Sequence, residues 1–220
     1  DQSRTVAFID IGESDSSVAV VTFYRGRMII HTIISNDDLG GRDIDDVLAG
    51  AIEKQIQGVS GVEPLTDPKV RLGLLAECEK LKKSLSTVHA ADVAFHTISQ
   101  HHGGKQRWIR AEFDSLITPF LDDISDLVEA ALAISDMNSD QIHAIELFGG
   151  TTLIPAVQRR IQSIFDGKLP SCTLNYDTAA ALGATYICAS HLARFPHAEI
   201  PLQDVGEFPL EIQWADSTMD

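Results

Sequence analysis

The feature that most constrains this chain is a short apolar run that ends at two glycines and is followed at once by a helical pattern. The run covers residues 145–148, the glycines are Gly149 and Gly150, and apolar residues recur at helical spacing through residues 156–165. This order predicts a strand, a glycine turn and a helix. Such a unit is typical of α/β proteins.

The same turn has a possible ligand-binding role. Glycines let backbone amides approach a ligand with no Cβ in the way, and a helix N-terminus favours negative charge, so the unit could bind a phosphate. However, such a turn is more often only connective, and this one is neither a Walker loop nor a GxGxxG fingerprint. Taken alone, the turn leaves both interpretations open.

Three β-rich runs near the N-terminus, residues 5–10, 18–23 and 28–34, predict a meander of two hairpins. Asp10 ends the first run and faces the polar turn Gly12-Glu13-Ser14-Asp15. A carboxylate at the end of a strand in an α/β protein often holds a metal through water or faces a phosphate. A turn-capping aspartate explains the position equally well.

A helix through residues 70–86 is the most informative segment. Its apolar residues are spaced four, four, three and four apart and form a core stripe: Val70, Leu74, Cys78, Leu81 and Leu85. Glu79, Lys82 and Ser86 share a neighbouring face, where a carboxylate, an ammonium and a hydroxyl could hydrogen-bond a ribose or a base edge. The alternative is a solvated face with an i,i+3 ion pair.

The middle of the chain predicts further elements of both kinds. A helix opens near Asp43 and runs to Ile56, residues 58–68 form a loop, and two strands flank a glycine-rich tip at His101-His102. The histidines are interpreted as exposed turn residues, because no third metal ligand has a suitable spacing. One long amphipathic helix is expected from Phe113 to Ala131.

The C-terminal part predicts a helix and a final strand. Small residues dominate positions 179–189, which predicts a helix packed close against another element. Residues 195–206 contain two prolines and are expected to be a linker, and residues 208–214 alternate like a strand whose sheet partners are missing.

Composition excludes several classes of protein. Seventeen basic against thirty-two acidic residues give a net charge of −15, which disfavours nucleic acid and anionic membranes as partners. No apolar run is long enough for a membrane span, and the polar start resembles no leader, so a cytoplasmic protein is expected. Three cysteines without a CxxC spacing are interpreted as buried free thiols in a reducing compartment.

Taken together, the motifs resemble the second lobe of the actin-like ATPase domain of the 70-kDa heat-shock chaperones, and more closely that of their 110-kDa relatives. Five segments carry the resemblance in the family's order: residues 6–12, 39–45, 77–86, 149–155 and 175–177. The resemblance implies an α/β fold, namely lobe II of an actin-like (ribonuclease H-like) ATPase domain with an inserted α+β outer subdomain and a truncated β-strand at the C-terminus.

The resemblance also implies a division of the chain. Residues 1–39 and 116–194 would form the inner subdomain (IIA) and residues 40–115 the outer subdomain (IIB). Residues 195–206 would be a linker, and residues 207–220 would begin a β substrate-binding domain.

By resemblance, nine residues would bind ATP or ADP with Mg²⁺: Asp10, Gly12, Glu79, Lys82, Ser86, Gly149, Gly150, Thr151 and Asp177. Glu79, Lys82 and Ser86 would contact ribose and adenine, Gly149 and Gly150 would pass close to the phosphates and sugar, and Asp10 would hold the metal through water. Asp10 and Asp177 would flank the magnesium and adenine sides of the cleft.

Two departures from the family pattern are expected to weaken nucleotide binding. Hydrolytic members carry a Gly-Gly-Gly-Thr turn where this chain has Gly12-Glu13-Ser14-Asp15, which places two carboxylates near a triphosphate. Leu153 stands where the family usually has an arginine stacked on adenine, so a stacking contribution of about 1 kcal/mol is absent.

The leading hypothesis is therefore a lobe of a 110-kDa-type co-chaperone that binds adenine nucleotide and promotes nucleotide exchange on a 70-kDa chaperone, with unfolded clients bound by missing domains. Because the first lobe has no counterpart here, the chain alone is not expected to hydrolyse ATP. The alternatives are a nucleotide-free interaction module and a working chaperone ATPase in the full-length protein.

Overall fold

The structure, a computed structural model, describes residues 3–60, 67–94, 105–190 and 201–204. It contains a five-stranded mixed sheet in the order β6-β1-β2-β3-β7 and a separate β4–β5 hairpin. The strands are β1 Arg4–Ile11, β2 Ser16–Tyr24, β3 Arg27–Asn36, β4 Ala90–Ala94, β5 Lys105–Ile109, β6 Ala144–Phe148 and β7 Leu202–Gln203. The described part of the chain is therefore an α/β fold, as its sequence predicts.

Six helices accompany the strands within the described ranges. They are α1 Gly41–Ser60, α2 Pro68–Thr87, α3 Arg110–Leu116, α4 Thr118–Ile134, α5 Pro155–Ile164 and α6 Ala179–Ser190. None of the described helices is long and apolar enough to cross a membrane.

The sheet follows the predicted meander. β1 and β2 pair antiparallel, with Phe8 opposite Ala19, and β2 pairs antiparallel with β3. β6 then adds parallel to β1, with Phe8 opposite Glu146. This parallel pairing brings the ends of β1 and β6 to the same edge, so Asp10 lies opposite Phe148, next to the glycine turn.

Helix α2 forms where its sequence signals predict. The side chain of Asp67 accepts a hydrogen bond from the amide of Lys69 at 2.9 Å, and Pro68 occupies the first helical position. The predicted apolar stripe faces inward: Leu74, Cys78, Leu81 and Leu85 are buried and Val70 is half-buried. It packs in the core with Ile44, Leu48 and Ile52 of α1.

Three local predictions are wrong. The single long helix is two, because Ile117 separates α3 from α4 and Pro119 supplies no amide to a continuous helix. A 3₁₀ turn, Gly150–Leu153, begins at the second glycine, so helix α5 does not follow the glycines directly. Helix α1 extends to Ser60, into the segment expected to be a loop.

Helix α6 contradicts the expectation of close packing. None of its residues is buried, and Leu182 is 62% exposed. Its small apolar residues lie on every side, so no single face directs it onto the sheet. Cys188 on this helix and Cys172 before it are exposed, so the expectation of three buried thiols holds only for Cys78.

A short strand also lies inside the expected linker. Leu202 and Gln203 pair parallel with Met28 and Ile29 of β3, and the amide of Met28 donates to Pro201 O at 3.0 Å. The two histidines of the expected tip, residues 95–98 of the strand before it and the strand at 208–214 lie outside the described residues.

Candidate functional site

A cleft of about 910 Å³ lies between α2, the ends of β1 and β6, and the start of α6. Pockets of 300–1,000 Å³ are the usual size for small-molecule ligands. The structure brings all nine candidate residues into its lining: Asp10, Gly12, Glu79, Lys82, Ser86, Gly149, Gly150, Thr151 and Asp177. Residues up to 167 positions apart in sequence thus share one surface.

The cleft also contains residues that the sequence motifs do not identify as ligand contacts. They are Lys83, Thr87, Phe148, Ile154, Tyr176 and Ala180. Their only sequence signal is adjacency to the motifs, since each follows or precedes a candidate residue by one to three positions. Glu13 and Leu153, the two departures from the family pattern, line the cleft as well.

The turn after β1 is held by backbone bonds that point its carbonyls at helix α1. Gly12 O accepts from the amide of Gly41 at 3.0 Å and from Thr151 Oγ1 at 2.7 Å, and Glu13 O accepts from the amide of Arg42 at 2.9 Å. The amide of Gly12 donates back to Asp15 O at 2.9 Å. The first amides of α1 are therefore capped by the turn, and the Gly12 amide is not directed at a ligand.

Gly149 is required by its geometry. Its φ is +83°, and a Cβ built on it would overlap Asp10 Oδ1 and Ile11 O. Its amide donates to Tyr176 O at 3.1 Å, so this N–H is occupied inside the protein. Of the two glycines, Gly150 is therefore the one that a ligand could approach closely, because an added Cβ there would meet nothing within 4 Å.

Asp10 is a half-buried carboxylate at the cleft floor. Burial, with a further contribution from the negative charge of Asp15, raises its pKa above the usual value for aspartate. No cluster of three or more metal-ligating side chains occurs among the described residues. A magnesium ion at Asp10 would therefore be held largely by water and by ligand oxygens, which suits that ion.

We predict that Asp15→Asn lowers the pKa of Asp10, because the substitution removes the one neighbouring charge that disfavours its ionised form. A carboxyl-carbon NMR titration of both proteins measures the change directly. Asp166→Asn is the control and is expected to leave the titration unchanged, because Asp166 accepts a hydrogen bond from Ser139 and does not line the cleft. An unchanged Asp10 titration in Asp15→Asn contradicts the prediction.

The polar face of α2 does not contain the i,i+3 ion pair between Glu79 and Lys82 that the sequence spacing allows. Lys82 Nζ lies 2.6 Å from Asp45 Oδ2 and 2.7 Å from Gly41 O, and this ammonium is buried. Glu79 pairs instead with Lys83 at 2.5 Å on the exposed side. The i,i+3 pair between Glu79 and Lys82 is therefore replaced by an i,i+4 pair and a long-range one.

Ser86 completes this face. Its hydroxyl donates to the carbonyl of Lys82 at 2.9 Å, which leaves the oxygen lone pairs as an acceptor for a ligand. On the opposite wall, Asn175 Oδ1 accepts from the amides of Asp177 and Thr178 at 2.9 and 3.1 Å and shapes the turn that presents Asp177.

Two buried groups behind the cleft have shifted pKa values. Burial raises the pKa of Asp45 to about 6, and the carboxylates of Glu13 and Glu79 act in the same direction, whereas Lys82 opposes them. Burial also raises the pKa of the Cys78 thiol to about 12. Cys78 is thus a neutral, unreactive core residue.

Comparison with known proteins agrees with this architecture. The family model described as Hsp70 protein matches residues 1–220. The chain is 32% identical to heat shock protein hsp88 of Neurospora crassa over 97% of the chain and 30% of that protein. It is 28% identical to a heat shock protein homolog of Saccharomyces cerevisiae over 100% of the chain and 32% of that protein.

A third relative is the 97 kDa heat shock protein of Strongylocentrotus purpuratus, which is 29% identical over 97% of the chain and 24% of that protein. The chain thus spans about a quarter to a third of the length of these relatives. The mixed sheet and its helices are consistent with a lobe of an actin-like ATPase fold. The chain belongs to the Hsp70 family, and its relatives place it with the 110-kDa heat-shock branch.

Proposed function

We propose that this chain is one lobe of a 110-kDa-type heat-shock co-chaperone that binds adenine nucleotide with little or no hydrolysis and promotes nucleotide exchange on a 70-kDa chaperone. The observation that carries the proposal is the meeting of nine motif residues in one cleft of nucleotide size, next to a turn that carries Glu13 and Asp15. A client polypeptide would be bound by other domains of the full-length protein, in the cytoplasm.

The cleft has suitable chemistry for each part of an adenine nucleotide. Glu79 and the Lys82 ammonium would hydrogen-bond ribose hydroxyls, and the acceptor lone pairs of Ser86 match the amino group of adenine. Gly150 and Thr151 lie where phosphates would pass, and Asp10 would face a magnesium ion through water. Such an ion would neutralise phosphate charge.

The turn after β1 supports weak or absent hydrolysis. Its carbonyls are bonded to α1 and its Gly12 amide to Asp15, so the donors of a phosphate-binding glycine turn are reduced. Glu13 adds a carboxylate to the cleft lining, which opposes negative charge that develops on a phosphoryl group.

Helix α6 supports a role within a larger protein. An apolar helix that is exposed on every side is a surface that other parts of a protein usually cover. In this proposal the lobe works only with the rest of its full-length protein, and the isolated chain has no ATPase activity.

The exchange activity is tested by measuring the release of labelled ADP from a 70-kDa chaperone with and without the full-length protein that contains this chain. Acceleration of release is expected. An unchanged rate under saturating conditions contradicts the exchange role.

A second candidate, an interaction module that has lost nucleotide, is favoured by Glu13 and Leu153 in the cleft lining and by Asp15 in the turn beside it. Calorimetry with Mg-ADP separates the two. If the full-length protein binds Mg-ADP clearly and the Glu79→Ala, Lys82→Ala double variant does not, the interaction-module hypothesis is excluded. If the unmodified protein does not bind Mg-ADP, that hypothesis is supported.

We predict that Glu13→Gln strengthens Mg-ADP binding by the full-length protein about threefold, because it removes a like charge near the phosphates while preserving the side-chain shape. Glu77→Gln is the matched control, since Glu77 pairs with Lys80 on α2 outside the cleft lining. Calorimetric titration at fixed ionic strength measures both. Equal affinities of the Glu13 variant and the unmodified protein would show that this carboxylate does not oppose the nucleotide.

A further inference from the structure

The ammonium of Lys82 is held from behind by helix α1. Asp45 Oδ2 and Gly41 O accept two of its three N–H donors, at 2.6 and 2.7 Å, and the side chains of Lys82 and Asp45 are each only 7% exposed. The third donor is the one that Lys82 can offer to the cleft, which it lines. Asp45 therefore fixes the direction in which a cleft-facing cation points.

Asp45 does not itself line the cleft, and only one of its two carboxylate oxygens is hydrogen-bonded within the described ranges. Asp45 Oδ1 is buried and has no hydrogen-bond partner among the described residues. Burial of a carboxylate oxygen without a partner destabilises a protein, so it calls for a specific explanation. Among the described residues, three charged groups act on Asp45: Lys82 and Glu79 from α2, and Glu13 from the turn after β1.

We propose that Asp45 is a positioning residue that acts through Lys82, holding its ammonium against the ribose of a bound adenine nucleotide. The proposal rests on the proposed function of the cleft. It assigns a binding role to a residue of α1 that lies behind the nucleotide surface and touches no ligand.

A purely structural ion pair between α1 and α2 would behave differently. Its loss would lower the stability of the protein but leave the nucleotide affinity of the folded fraction unchanged. The neighbouring pair of Asp46 with Arg71, at 2.7 Å, provides the comparison, because it joins the same two helices on their exposed side.

The first test measures Mg-ADP affinity of the full-length protein by calorimetry. Asp45→Ala and Lys82→Ala are each expected to weaken binding about tenfold, the value of one charge-assisted hydrogen bond. The double variant should bind no more weakly than Lys82→Ala, because both substitutions remove the same interaction. Asp46→Ala should bind like the unmodified protein. Full affinity in Asp45→Ala, or additive losses in the double variant, overturns the proposal.

Because Asp45→Ala leaves a buried ammonium without its partner and can prevent folding, a second variant keeps the proposal testable. Asp45→Asn retains an oxygen acceptor for Lys82 but cannot ionise. Because the proposed arrangement holds Lys82 through the ionised carboxylate, Mg-ADP binding near pH 6 should release a fraction of a proton from Asp45 that Asp45→Asn does not release. The dependence of the binding enthalpy on buffer ionisation measures this difference, and identical proton release in both proteins overturns the proposal.

Failure of this inference is distinguishable from failure of the proposed function. If the unmodified full-length protein does not bind Mg-ADP, the proposed function fails. If it binds, and Lys82→Ala weakens binding while Asp45→Ala does not, only the positioning role fails.

Discussion

Replacement of Gly149 by alanine is expected to lower the free energy of unfolding by about 3 kcal/mol or more and to abolish nucleotide binding. The backbone there has φ +83° and ψ 139°, a region that residues with a Cβ rarely adopt and that costs about 1–3 kcal/mol for them. The added methyl would also overlap Asp10 Oδ1 and the carbonyl of Ile11. Relief of that overlap must separate β6 from the end of β1.

The neighbouring glycine provides the control. Gly150 does not have a positive φ, and an added Cβ would meet nothing within 4 Å, so Gly150→Ala is expected to change stability by less than about 1 kcal/mol. Urea denaturation of both variants measures the difference in stability, and calorimetry measures whether each variant still binds Mg-ADP. Similar losses of stability in the two variants would show that the conformation at Gly149 is not the constraint.

Local patterns accounted for most of the elements that build the site. The Gly149-Gly150 doublet predicts the end of β6, and helical spacing alone places Glu79, Lys82 and Ser86 on one face of α2. These predictions concern residues within a few positions of one another. The pattern did not show that Gly149 needs its positive φ, because this depends on Asp10 and Ile11 in a different strand.

Long-range partners could not be predicted in this way. Asp45 lies 37 residues before Lys82, and only the packing of α1 on α2 brings them together. A carboxylate beside apolar Ile44 carries the same local signal as any exposed aspartate of an amphipathic helix. The alternative pairing of Glu79 with Lys83 follows from this, because Lys82 is already turned inward by Asp45.

The prediction that helix α6 packs closely against another element fails for a further physical reason. Small residues permit close packing, but they do not specify a partner, and the described part of the chain does not cover Leu182. The break at Ile117 had a visible signal in Pro119, which the apolar periodicity across residues 113–131 outweighed.

Removal of the Lys82 charge gives the second large effect, and it depends on pH. Lys82→Met leaves Asp45 buried without its counter-ion, which typically costs about 3–5 kcal/mol of stability. The pKa of Asp45 is about 6 in the folded protein, against the ordinary aspartate value of 3.8 expected in the unfolded chain. The folded state therefore binds this proton more tightly, and the stability of the protein falls as the pH rises from about 4 through 6. Lys82 lowers the pKa of Asp45, so its loss raises that pKa further and extends the fall in stability to higher pH.

We therefore expect Lys82→Met to cost about 3 kcal/mol or more at pH 8 and clearly less at pH 5, where Asp45 is largely neutral in the folded protein. Urea denaturation at the two pH values measures both costs. Lys83→Met is the matched control, because Lys83 is 71% exposed and such ion pairs contribute about 0–1 kcal/mol. A second substitution, Asp45→Leu in Lys82→Met, should restore stability at pH 8 by removing the buried charge. Equal costs at pH 5 and pH 8, or no recovery in the double variant, would mean that the ionised Asp45 is not what destabilises Lys82→Met.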